Sequence, residues 1–134
     1  VVFIEQYRPL VKSRVLELVA GLVDEWFSEE EAMIQEIRQE TWYTAESLEL
    51  LSKWPKSAGM TNEFSYSFYW TVEWDAEEQQ LEESEAWIIV HETRNSVIDV
   101  IEFTQEKEKS WVMISPGIWS AVWKALALWK IKLS

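Results

Sequence analysis

The stretch Phe64-Ser65-Tyr66-Ser67-Phe68-Tyr69-Trp70-Thr71-Val72-Glu73-Trp74 decides the reading of this chain. In an extended backbone Phe64, Tyr66, Phe68, Trp70, Val72 and Trp74 fall on one face, and Ser65, Ser67, Tyr69, Thr71 and Glu73 on the other. A period of two marks a strand with one buried side. Aromatic and β-branched residues fill it, and no Gly or Pro interrupts it. A sheet with an aromatic floor follows, and the rest of the chain has to cover that floor.

Downstream, Ala86–Thr93 and Val97–Thr104 read as two further strands joined by a turn at Arg94-Asn95-Ser96, where Asn tolerates the left-handed backbone a tight turn needs. Both are apolar on both faces, as in strands covered by a second layer or a second subunit. Trp111–Ile114 reads as a fourth strand, ended by Ser115-Pro116-Gly117. The stretch 118–132 has few polar positions, and a helix that is apolar nearly all round is buried on most sides. It suits a helix laid on the sheet, an interface with a second copy, or a membrane surface. The chain's strong negative charge disfavours an anionic membrane.

Upstream, Val11, Val15, Leu18, Val19, Leu22 and Trp26 follow the three-and-four spacing of an amphipathic helix over residues 10–27, with Pro9 suited to its first turn. Ser28-Glu29-Glu30-Glu31 is a capping box for the next helix. Residues 29–54 form one long helix or two with a break near 41–44, and Pro55 ends them. The expected fold is therefore α+β in a single domain over 1–134. N-terminal helices span 10–54, a four-stranded, mainly antiparallel meander spans 64–114, and a C-terminal helix at 118–132 packs on the sheet.

A chain of 134 residues with 48% hydrophobic and 27% charged content is that of a folded domain. It has no Cys, which excludes disulfides, thiolate metal sites and a Cys nucleophile. The net charge of −12 disfavours direct contact with a nucleic-acid backbone and favours a basic protein partner. No leader pattern and no apolar run of about 18 residues is present. The chain starts without Met, as a processed product or a piece of a longer protein would. A cytoplasmic location is the expectation taken.

Candidate functional residues fall into three groups. Asp75, Glu77, Glu78, Glu82, Glu83 and Glu85 make an acidic connector that reads as a solvated loop or as the docking surface for a basic partner. They lack the alternating spacing and central Gly of a calcium loop. Tyr66, Phe68, Trp70, Trp74, Trp87, Trp119 and Trp123 form the wall of a pocket or an interface. His91 is the lone histidine. In a three-residue-loop hairpin it would stand opposite Asp99, a polar pair that is more often structural than catalytic.

No Gly-rich phosphate loop, nucleophile elbow or metal-ligand spacing is found, so no catalytic residue, cofactor or metal is expected. The expectation is a non-enzymatic, acidic protein-binding module of adaptor, inhibitor or chaperone-like type, forming a homodimer. The alternative is a small-molecule-binding protein with a Trp-lined pocket between sheet and helices. Ten Trp are the composition's anomaly.

Overall fold

In a computed structural model that describes residues 1–21, 26–73 and 88–134, the chain builds two sheets and three helices. The elements are β1 (Val2–Arg8), β2 (Ser13–Glu17), α1 (Glu29–Thr41), β3 (Thr44–Pro55), β4 (Phe64–Glu73), β5 (Ile89–Glu92), α2 (Val97–Lys109), β6 (Met113–Ile114) and α3 (Gly117–Ala127). The α+β class holds, but the meander does not. One sheet is mixed, with strand order β5-β1-β2-β6, β1 antiparallel to both neighbours and β6 parallel to β2. The other is the two-stranded antiparallel hairpin β3–β4. Helices are spread along the chain instead of gathering before the sheet.

Each departure from the expected elements has a local cause. The described residues of the span 10–27 form no helix. Pro9 occupies a tight turn closed by Val11 N–H on the Arg8 carbonyl at 3.2 Å, and Leu10 and Val11 are exposed there. The apolar spacing thus belonged to a strand turn and the strand after it. Residues 44–55 are a strand because β4 offers them a long antiparallel partner, with register Leu48↔Trp70 and Trp54↔Ser65. Two bulges give β3 the extra residues Glu46 and Leu51, which hides its period of two. Leu51, the second extra residue, is buried. Residues 97–109 are a helix although Val97-Ile98-Asp99-Val100-Ile101 is rich in strand formers. Ser96 caps it, its hydroxyl accepting the Asp99 amide at 3.1 Å.

Other elements fall where expected, with changed bounds. β4 covers Phe64–Glu73, the strand expected over Trp111–Ile114 is reduced to Met113–Ile114, and the C-terminal helix expected over 118–132 runs over Gly117–Ala127 and stops there. The Ser28 capping box is complete: Glu31 N–H donates to the Ser28 hydroxyl at 3.2 Å, and Ser28 N–H donates to the Glu31 carboxylate at 2.9 Å. Trp74, Trp87 and the acidic connector from Asp75 to Glu85 lie outside the described residues.

The mixed sheet carries a core on each face. Facing residues of paired strands share a side, so Phe3, Glu5, Leu16 and His91 point one way and Ile4 the other. Phe3 and Leu16 pack with Val97 and Val100 of α2 and with Ile118 and Val122 of α3. Ile4 and Val19 pack with Ile37 of α1. The hairpin serves both cores, Leu51 and Tyr69 joining the first, Leu48 and Trp70 the second. Among the described residues, no helix is long and apolar enough to cross a membrane.

All three helices stop in the same manner. Trp42, Trp111 and Trp129 follow α1, α2 and α3 with positive φ of 71°, 63° and 59°. Trp111 N–H bonds to the Glu108 carbonyl at 3.0 Å and Val112 N–H to the Lys107 carbonyl at 3.1 Å. After α3 the same pair is Trp129 to Leu126 at 3.0 Å and Lys130 to Ala125 at 2.9 Å. These are the two bonds of a Schellman stop. Trp42 N–H bonds to the Arg38 carbonyl at 3.3 Å, the simpler left-handed stop.

Candidate functional site

The hairpin leans away from the mixed sheet and leaves a cavity of about 740 Å³ between them. Residues 65–71 of β4 all line it, Tyr66, Phe68 and Trp70 together with Ser65, Ser67, Tyr69 and Thr71, so both faces of the strand contribute and not the single aromatic face its alternation suggested. Leu51 and Trp54 of β3 close one side, and Leu18 and Val19, just past β2, another. Across from them α3 presents Gly117, Ala121 and Ala125, four residues apart and so on one face of the helix. These small side chains leave the space that a larger residue would fill. Sequence reasoning missed this wall, although the four-residue repeat of small residues was its available signal. Trp119 packs against the core, and Trp123, 54% exposed, faces solvent; neither lines the cavity.

The polar groups of the cavity are few, and several are already engaged. The Ser67 and Ser52 hydroxyls share a hydrogen bond at 2.9 Å. The Glu17 carboxylate accepts from Gln6 Nε2 at 3.0 Å and Arg8 Nε at 2.9 Å. Asn95 Nδ2 donates to the Lys130 carbonyl at 3.0 Å. Lys56 stands at the rim, 3.8 Å from the exposed carboxylate of Glu63. A second depression of about 460 Å³ shares Lys56, Tyr66 and Phe68 with the first and adds Glu29, Glu36 and Glu63. Glu29 titrates below the usual carboxylate range, because the backbone amide at the start of α1 and the Tyr66 hydroxyl both bond its charged form.

His91 does not pair with Asp99. The expected hairpin is absent because residue 97 begins a helix, and the Asp99 carboxylate instead accepts the Ser96 hydroxyl at the start of that helix. His91 Nε2 meets Glu5 Oε2 at 2.8 Å. Glu5 is buried, 4% exposed, and holds three basic groups: His91, Lys107 Nζ at 2.7 Å and Arg14 Nε at 2.5 Å. Burial alone would raise its pKa. The hydrogen bonds from Lys107, Arg14 and His91 outweigh burial and bring it down to about 2. Phe103 stacks beside this group, 5.4 Å from the His91 ring and 5.5 Å from the Phe3 ring. Sequence could not pair residues so far apart. Glu5 in the middle of an apolar strand was the one available hint.

Among the described residues, no group of three or more His, Asp or Glu side chains is placed to hold a metal ion. The chain matches no protein-family model and no curated protein sequence.

Proposed function

We propose that this protein binds a small, largely apolar molecule in the cavity between the β3–β4 hairpin and α3. The observation that carries this reading is the cavity itself, about 740 Å³ with aromatic and aliphatic walls and a few polar groups. Small-molecule sites are concave, mostly apolar and of roughly 300–1,000 Å³. Trp54 and Trp70 give the ligand flat surfaces to stack on, while Lys56 at the rim offers one cation to an acceptor group of the ligand.

The test is a screen of aromatic and aliphatic small molecules by quenching of tryptophan fluorescence, repeated on Ala125→Phe, which fills the cavity from α3. Saturable quenching in the parent chain and its loss in the folded variant support the reading. Equal quenching in both places the ligand elsewhere and overturns it. A bound ligand at 100 times its Kd also raises unfolding stability by about 2.7 kcal/mol.

The net charge of −12 favours a second reading, an acidic surface that docks a basic protein. Association steered in this way slows steeply as salt rises. An association rate that does not change with salt counts against it.

A further inference from the structure

Three of the four non-glycine residues with positive φ among the described residues are tryptophans, and each one ends a helix. None of the described glycines has a positive φ. This inverts the usual arrangement. The left-handed residue that stops a helix is most often Gly, because any Cβ there crowds the following carbonyl. Asn is the usual substitute, and a bulky side chain at such a φ is an outlier.

Two of these tryptophans gain almost no burial in exchange, and the third is only partly covered. Trp111 and Trp129 are 90% and 91% exposed, and Trp42 is 43% exposed. Their hydrogen bonds at the helix ends are made by backbone N–H groups, which glycine supplies equally well. Composition points the same way: three Gly and ten Trp stand in a chain where an ordinary glycine share of about 7% would give roughly nine.

We infer that positions 42, 111 and 129 are glycine sites, and that the protein made by its own cells carries glycine at them. A codon with two meanings accounts for both observations. UGA is such a codon: systems that do not terminate at it insert tryptophan in some cells and glycine in others. With UGA at these three positions, a glycine reading puts the helix-stopping residue at each point where the backbone turns left-handed.

Peptide mass mapping of the protein isolated from the cells that encode it tests the inference directly. The expected result is that peptides spanning 42, 111 and 129 are each lighter by the difference between an indolylmethyl group and hydrogen. Tryptophan at all three overturns it. Thermal unfolding of the chain with tryptophan at these positions tests the structural half. Trp42→Gly, Trp111→Gly and Trp129→Gly should each raise the midpoint by about 4 °C. Trp54→Gly, in a strand and on the cavity wall, should lower it. A fall in midpoint for all three helix-end variants overturns the glycine assignment whatever Trp54→Gly does.

Discussion

Glu5 shows how one residue ties distant parts of the chain together. Its carboxylate binds Arg14 from one neighbouring strand, His91 from β5 on the other side and Lys107 from α2. Its folded pKa of about 2 lies below the ordinary 4.5, so the charged form is favoured by folding. The sign follows: this stability is fully present above pH 4.5 and is lost as pH falls from there towards 2. A shift of this size corresponds to about 3 kcal/mol at neutral pH. Glu5→Gln should therefore unfold in less urea at pH 7 and lose much of the acid sensitivity of the parent between pH 4.5 and 2. An unchanged acid limb in urea titrations would show that the three partners contribute nothing through Glu5.

At the scale of elements, two serines write the same local instruction. Ser28 caps α1 and Ser96 caps α2, each taking the amide three residues on. Ser28→Ala should cost about 1 kcal/mol, an ordinary loss of a cap. Ser96 is buried, so Ser96→Ala should cost more, about 2 kcal/mol, because the Asp99 amide loses its partner away from water. Chemical unfolding of the two variants checks both the size and the order.

The first of these signals was legible in the sequence because acidic helix formers follow Ser28. The second was not, because Val97, Ile98, Val100 and Ile101 are strand formers and outweighed the same spacing of Ser and Asp. β4 was legible because its own alternation runs unbroken, whereas its partner β3 carries two extra residues. The cavity was legible only in part. Tyr66, Phe68 and Trp70 stand out in the β4 pattern, but Ser65, Ser67, Tyr69 and Thr71 from its other face line the cavity as well, and Leu51 follows only from a bulge that its partner strand imposes. The third wall depends on where α3 lies, which no local pattern states. Ile118, fully buried where α3 meets Phe3 and Leu16, fixes that position. Ile118→Ala should cost about 3 kcal/mol, read by the same unfolding experiment.

The whole molecule is joined by contacts between its ends. β1 lies inside the mixed sheet, and its outer neighbour β5 pairs Val2 with Glu92 and Phe3 with His91. β2 is flanked by β6, which pairs Leu16 with Ile114. The core on one face is closed by α2, by α3 and by Ile131. Such neighbours are set by tertiary fit, so a chain-order reading favoured a meander of sequential strands where the structure has a sheet assembled from distant pieces.

That arrangement has a consequence for synthesis. A ribosome delivers β1 and β2 first, and the β3–β4 hairpin completes itself locally soon afterwards. The mixed sheet meanwhile waits as a pair of strands with both outer edges open until the segments that cover them emerge. Distant pairing of this kind slows folding and leaves unpaired edges exposed. A nascent chain arrested at residue 110 should be cut readily by a protease, with the β3–β4 hairpin its most resistant part. A chain arrested with residue 134 clear of the exit tunnel should resist as a unit. β1 is made before the segments that shelter it and is covered on its outer edge only when β5 arrives, so its residues wait long in an unprotected state.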